Sequence, residues 1–353
     1  MVLPELRSPA LAMDEFLNNI ERERPIRFTS EQLKHATGNY SHRLGAGGFG
    51  EVYKGALGNG VLVAVKVLRG TSNKRVEEQF MAEVSTIGRT HHHNLVRLHG
   101  FCFECDLRAL VYEYMENGSL DRLLFHSNAA VGWEMLREIA IGTAKGIAYL
   151  HEECHQRIVH YDIKPGNILL NAKFCPKVSD FGLAKLCSRE NSHLTLTGGR
   201  GTPGYAAPEL WMPSWHVTHK CDVYSFGMLL FEVLGRRRNL DVSFPESQEW
   251  FPKWVWKRLG KSELGRVMEA EAAKRMARVA LWCVQYQPEA RPEMSAVVRM
   301  LEGGVEIPEP TYPFNYLVVG TPVRDPATDG VVGSDGVCFS PLMRKLEISV
   351  ASS

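Results

Sequence analysis

Apolar positions along this chain recur first at a spacing of two and later at helical spacing. Val61, Val63, Val65 and Val67 mark every second residue, the pattern of a strand with one buried face, and Asn59-Gly60 just before them is a hairpin turn signal. Strand patterns of this kind run from about 39 to 115. One helix interrupts them over 76–88, with Phe80, Val84 and Ile87 on one face. From 116 to about 303 helical periodicity takes over, as over 139–150 and 276–284. Upstream, Thr29-Ser30-Glu31-Gln32 reads as a capping box, Thr29 being the N-cap and Gln32 lying three positions on, with Gly38 ending the helix. Pro308, Pro310, Pro313, Pro322, Pro326 and Pro341, among scattered Gly and Ser, predict a weakly ordered tail. The expected organisation is a flank at 1–38, a small β-rich lobe at 39–115, a larger helical lobe at 116–303 and a tail at 304–353. A cleft lies between the lobes.

Composition narrows the function classes. The 353 residues carry 41 Lys+Arg against 40 Asp+Glu, a net charge of +1, and 44% hydrophobic residues. This balance gives no global basic field for nucleic acid and enough apolar content for a sizeable core. No run approaches the roughly 18 apolar residues of a membrane span, and the N-terminus lacks the features of a signal peptide or a myristoylation site. Eight cysteines are too few for a disulfide framework and suggest a reducing compartment. Cys102 and Cys105 form one Cys-x-x-Cys, but a closed zinc site usually needs a second pair. His91, His92 and His93 read as a loop, since adjacent histidines cannot all point one way on a regular element.

Chemistry enters with Gly45-Ala46-Gly47-Gly48-Phe49-Gly50. A Walker A loop would end in Gly-Lys-Ser/Thr, whereas Glu51 and Val52 follow here. A dinucleotide-binding turn would lead into a helix, whereas strand signals follow. A hairpin folded over nucleotide phosphates remains, and it expects a lysine on the next strand. Lys66, in Val63-Ala64-Val65-Lys66, is that lysine. Alternation turns it away from Val65 and Val67, and a cation held in a cleft needs an anionic partner. Glu83, in the small lobe's helix, is the candidate. Further on stand His160-Tyr161-Asp162-Ile163-Lys164-Pro165-Gly166-Asn167, then Ser179-Asp180-Phe181-Gly182, then Ala207-Pro208-Glu209. Asp162, Lys164, Asn167 and Asp180 supply the carboxylate, cation and oxygen ligands that phosphoryl transfer requires.

Motifs in this order resemble the eukaryotic protein kinases over about residues 39–303. Asn94-Leu95-Val96, Leu110-Val111-Tyr112-Glu113-Tyr114-Met115, Gly201-Thr202-Pro203-Gly204-Tyr205 and Arg291-Pro292-Glu293-Met294 look like the plant receptor-like, Pelle-related group. Pro25-Ile26-Arg27-Phe28-Thr29 is similar to the juxtamembrane entry of its leaf-rust-resistance-kinase-like subgroup. The resemblance implies an α+β, two-lobed kinase fold and an ATP- and Mg²⁺-dependent serine/threonine kinase. Its partners would be a protein substrate and a receptor or immune-signalling complex. Its place would be the cytoplasm or the cytoplasmic face of the plasma membrane. By this resemblance Lys66, held by Glu83, binds the α/β-phosphates. Asp162 is the catalytic base with Lys164 beside it, and Asn167 and Asp180 are the metal ligands. The glycine-rich loop from Gly45 to Gly50 covers the phosphates. Leu44, Val52, Ala64 and Leu169 wall the adenine, and the hinge from Glu113 to Met115 meets it, with Tyr112 as gatekeeper. Ile87, Leu98, His160 and Phe181 would stack between the lobes. Asp222 would brace the catalytic loop, and Glu209 with Arg291 would form a scaffold ion pair.

One position departs from the family pattern: Tyr161 stands where an arginine often precedes the catalytic Asp, so a cation that pairs with activation-loop phosphate is missing. Two other readings compete with an active enzyme. One is a pseudokinase-type scaffold that binds without turnover. The other is calmodulin or membrane binding through Trp250, Trp254, Trp256, Lys253, Lys257 and Arg258, residues that equally suit a helix packed on the large lobe.

Overall fold

Alternation over the valines becomes a strand, Leu62–Leu68, in which Val63 and Val65 are fully buried while Lys66 takes the opposite face. In a computed structural model the described residues are 25–47, 50–69, 74–126, 131–188, 201–211, 216–259 and 271–314. In chain order the small lobe comprises β1 (Ile26–Arg27), α1 (Ser30–Ala36), β2 (Arg43–Gly47), β3 (Gly50–Ala56), β4 (Leu62–Leu68), α2 (Lys74–Ile87), β5 (Leu98–Phe103) and β6 (Arg108–Glu113). The strands form one sheet in the order β1-β5-β6-β4-β3-β2. Only β1 pairs in parallel, through Ile26 opposite Gly100. That contact needs glycine: a Cβ on Gly100 would lie 2.1 Å from the Ile26 carbonyl oxygen.

Residues 25–37, in the flank, pack against the small lobe. Leu33 of α1 is fully buried in one cluster with Val63, Val65, Cys102, Ala109 and Val111. Burying such a side chain contributes about 1.5–3 kcal/mol. The capping box orients the helix for this: Thr29 Oγ1 accepts from the Gln32 N–H at 3.2 Å, and Gln32 Oε1 accepts from the Thr29 N–H at 2.9 Å. Cys102 in the same cluster has its thiol pushed up to about 12 by burial, whereas Cys105 is exposed, so the pair faces different surroundings.

The large lobe follows with α3 (Leu120–Phe125), α4 (Trp133–Ala148), β7 (Arg157–Val159), β8 (Ile168–Leu170), β9 (Pro176–Val178) and β10 (Lys185–Cys187). Then come α5 (Lys220–Gly235), α6 (Glu246–Glu249), α7 (Phe251–Leu259), α8 (Glu271–Cys283) and α9 (Met294–Glu302). Strand β8 pairs with β9 and β7 with β10, both antiparallel. Helix α5 is buried continuously from Cys221 to Leu234, a mostly apolar span that also buries Asp222, Ser225 and Glu232. It is the post around which the lobe packs. Among the described residues no helix is long and apolar enough to cross a membrane.

The first part of the tail, residues 304–314, lies against the large lobe, and Phe314 is fully buried. Its ring meets Trp250 at 4.6 Å, and Tyr312 meets Trp256 at 5.5 Å. Proline-rich composition signals little core-forming content, but two aromatic anchors bury enough surface to hold a short strap. Residues 315–353 lie outside the described residues. Helix α7 is thus packed through its tryptophans, and Trp254 stacks on Phe251 at 5.5 Å.

Candidate active site

Strand β4 and helix α2 bring Lys66 and Glu83 together inside the cleft. Lys66 Nζ donates to Glu83 Oε1 at 2.6 Å and to Asp180 Oδ1 at 2.8 Å. Glu83 is fully buried, and its second oxygen, Oε2, accepts from the Tyr112 hydroxyl on β6. Burial works against the Lys66 ammonium, but Asp180 and Glu83 outweigh it and hold its pKa above the ordinary lysine value. Burial also opposes the Asp180 charge, and Lys66 more than offsets it, so this carboxyl sits below its usual range. The result is one cation held between two carboxylates, one from each lobe.

Asp180 occupies the left-handed region at φ 63°, as does Tyr161 at φ 66°. Such conformations are strained for these residue types and persist only where the surroundings over-determine them. At Tyr161 the brace is visible. Asp222, fully buried on α5, accepts from the His160 N–H at 2.7 Å and the Tyr161 N–H at 2.8 Å, and meets His151 Nε2 at 2.9 Å. Burial opposes the Asp222 charge, but the His151 and His160 interactions hold its pKa low.

The loop so braced carries Asp162 to the floor of the cleft. Its Oδ1 accepts from the Thr202 hydroxyl at 2.5 Å, and its Oδ2 accepts from Asn167 Nδ2 at 2.9 Å. Lys164 Nζ lies 2.9 Å from Asp162 Oδ2 and donates to Thr202 Oγ1 at 2.7 Å. A carboxylate with a lysine beside it can orient a hydroxyl and stabilise charge on a phosphoryl group. Asn167 uses Nδ2 for both of its side-chain bonds to Asp162, which leaves the lone pairs of its amide oxygen for a cation. Together with the Asp180 carboxylate this makes an oxygen set suited to a hard divalent cation.

The roof is formed by β2 and β3. Leu44, Val52 and Ala64 are half-buried on this sheet, and Leu169 is half-buried on β8 below. Gly45 and Ala46 lie on β2, as does Gly47, which pairs with Gly50 at the tip. Gly48 and Phe49 lie outside the described residues. Gly50 has φ 143°, and a Cβ there would lie 2.0 Å from the Val67 carbonyl oxygen, so only glycine lets the two strands close up. Met115 is buried at the hinge, and its carbonyl accepts from the Gly118 N–H at 3.3 Å. Ile87, Leu98 and Phe181 share one apolar cluster, and the His160 ring meets Phe181 at 4.8 Å.

Several contacts have no sequence signal. Glu113 turns its carboxylate out of the cleft, where Oε1 accepts from the Arg97 N–H at 2.8 Å and lies 2.9 Å from Lys177 Nζ on β9. Beside it the loop before β5 is knitted to β9: Val96 N–H donates to the Val178 carbonyl and Val178 N–H to the Asn94 carbonyl, both at 2.9 Å. Tyr205 donates to the buried Glu232 at 2.6 Å. The Glu209–Arg291 pair, by contrast, is the scaffold ion pair expected from the sequence: both residues are fully buried and meet in a two-pronged pair at 2.6 and 2.9 Å. His91–His93 form a loop as expected, where His92 stacks on Tyr149 at 4.9 Å.

Comparison with known proteins gives the same picture. The model of the protein tyrosine and serine/threonine kinase family matches residues 39–301. A G-type lectin S-receptor-like serine/threonine-protein kinase of Arabidopsis thaliana is 50% identical over 291 residues, covering 79% of this chain and 33% of that protein. Rust resistance kinase Lr10 of Triticum aestivum is 44% identical over 318 residues, covering 86% and 50%. A leaf rust 10 disease-resistance locus receptor-like protein kinase of Arabidopsis thaliana is 45% identical over 289 residues, covering 79% and 47%. The chain therefore spans a third to a half of the length of these relatives.

Proposed function

The chain belongs to the protein tyrosine and serine/threonine kinase family, and we propose that it transfers the γ-phosphoryl group of ATP to serine and threonine hydroxyls of protein substrates. The observation that carries this reading is the Thr202–Asp162–Lys164 arrangement at 2.5–2.9 Å, facing the Lys66–Glu83–Asp180 cluster across the cleft. In it Asp162 orients the attacking hydroxyl and receives its proton, while Lys164 offsets charge on the transferring group. Lys66 binds the α/β-phosphates, its position set by Glu83. Leu44, Val52, Ala64 and Leu169 exclude water around the adenine, whose edge meets main-chain groups between Glu113 and Met115. Asn167 and Asp180 fit Mg²⁺, which when bound neutralises phosphate charge. A scaffold without turnover would have no use for the Asp162–Lys164–Thr202 arrangement. The names of the relatives support work within receptor-like or disease-resistance signalling at the cytoplasmic face of the plasma membrane.

The test is transfer of labelled phosphate from ATP to the chain itself or to a generic acceptor. Asp162→Asn is expected to abolish it while folding survives. Wild-type rates in the folded variant would sink the assignment.

A further inference from the structure

The strap over 304–314 is held at its beginning by Arg275 on the Val305 carbonyl at 2.8 Å and Trp282 on the Pro308 carbonyl at 3.0 Å, and at its end by contacts of which one is chemically convertible. Its two rings are apolar anchors, Phe314 on Trp250 and Tyr312 on Trp256. The polar hold at their N-terminal side is Thr311. Thr311 Oγ1 donates to Gln285 Oε1 at 2.8 Å, and the Thr311 carbonyl accepts from Gln285 Nε2 at 3.0 Å. Gln285 is 5% exposed, whereas Thr311 is an exposed residue. A buried amide is thus satisfied by a hydroxyl that solvent, and an enzyme, can reach.

We infer that Thr311 is a phosphoacceptor, modified in trans by another copy of this chain, and that its phosphorylation releases the end of the strap, residues 311–314, from the large lobe. The inference rests on the proposed serine/threonine kinase activity. In the step, the bond between the γ-phosphorus and the bridging oxygen of ATP breaks and a bond from phosphorus to Thr311 Oγ1 forms. ADP leaves with that oxygen, and the hydroxyl proton passes to Asp162 of the acting copy and on to solvent.

Release follows from the geometry. Phosphorylation removes the only proton Thr311 Oγ1 can donate and places about −1.5 to −2 charges against Gln285 Oε1, an acceptor. The amide cannot simply turn round, because Nε2 also donates to the Leu281 carbonyl at 3.0 Å. Turning it would strip the donor from both Leu281 and Thr311, and a buried acceptor left unpaired is costly. Glu309, two residues upstream, adds charge of the same sign, and the Arg278 guanidinium on the same helix is already engaged by Glu309 at 3.1 Å. With this hold gone, Tyr312 and Phe314 alone keep down the end of the strap beyond Thr311, while Arg275 on the Val305 carbonyl at 2.8 Å and Trp282 on the Pro308 carbonyl at 3.0 Å still hold its beginning. Their departure would uncover the faces of Trp250 and Trp256.

The test uses the full chain. Phosphatase-treated protein is incubated with ATP and Mg²⁺ alongside a generic acceptor, and phosphate on Thr311 is read by peptide mass spectrometry. Hydrogen exchange over 305–314 is then compared between phosphorylated and unphosphorylated protein, and in Thr311→Glu and Thr311→Val. Expected are phosphate at Thr311 and exchange at the end of the strap about tenfold faster in the phosphorylated and Glu forms, with a smaller rise in the Val form. Phosphate on the acceptor but none on Thr311 would overturn this site alone. Phosphate on Thr311 with unchanged or slower exchange, as when Arg278 exchanges Glu309 for the new phosphate, would overturn the release. Transfer to neither would sink the proposed activity, and the site with it.

Discussion

Removing one oxygen from the gatekeeper tests how the buried carboxylate is held. Tyr112→Phe keeps the ring that fills the back of the cleft and deletes only the hydroxyl that donates to Glu83 Oε2. Glu83 is fully buried, and its other oxygen is taken by Lys66 at 2.6 Å. A hydrogen bond to a charged group is worth about 1.5–3 kcal/mol, and a buried carboxylate oxygen left bare costs a similar amount. Burial already pushes the Glu83 pKa up, and the Tyr112 bond is among the interactions that pull it back. Without the hydroxyl the value climbs further, so Glu83 takes up a proton at higher pH and releases Lys66. Phosphotransfer is expected to fall by about 10- to 100-fold at neutral pH, on the scale of 1.4 kcal/mol per tenfold. The acid limb of the pH–rate profile, where activity disappears as pH falls through the Glu83 pKa, should move to higher pH. Initial rates across pH and ATP concentration, with circular dichroism to confirm folding, are the assay. A Phe variant with the wild-type rate and an unmoved acid limb would refute the reasoning.

Other expectations concern the scaffold and its regulation. Arg291→Leu should destabilise by about 3–5 kcal/mol in urea, because it leaves Glu209 charged and buried; a double-mutant cycle with Glu209→Leu showing no coupling would contradict the pairing. Dephosphorylating the activation loop, whose Ser192, Thr195 and Thr197 lie outside the described residues, should lower activity by less than about tenfold, because Tyr161 cannot pair with phosphate as a guanidinium does; a hundredfold loss would mean another cation has taken that part. Glu293 has its pKa drawn down to about 2 by His219, with Lys220 assisting against partial burial. A carboxyl with a depressed folded pKa stabilises above its unfolded value of 4.5 and loses that contribution as pH falls toward about 2. Its side chain is 46% exposed, so Glu293→Gln should flatten this limb by less than about 1 kcal/mol. A thermal-melt series over that window decides it.

Local signals were the legible ones. The valine alternation and the Thr29–Gln32 capping box each act within a few residues, where the spacing dictates geometry. Lys66, Glu83, Asp162 and Asp180 stood out because phosphoryl transfer demands those groups in a recognisable order. Glu113–Lys177 and Tyr205–Glu232 did not, since contacts between distant segments leave no periodicity behind. The anchoring of Phe314 left no signal for a related reason. Proline-rich composition reports the local entropy of the strap but says nothing of the tryptophans awaiting it at the start of and along α7.

The knitting of Asn94 and Val96 to Val178 has a mechanical consequence. With the hinge chain it gives the small lobe two main-chain attachments to the large one, and a rigid body held at two points keeps a single rotation, about the line joining them. Shear and twist would break the 2.9 Å bonds at Val178, whereas nodding about that line would leave them whole. Points of the small lobe near this line hardly travel, while the sheet carrying Lys66 swings. The separation of Lys66 from Asp180 of the large lobe, 2.8 Å here, therefore works as a gauge of that one angle, reading how far the lobes have closed.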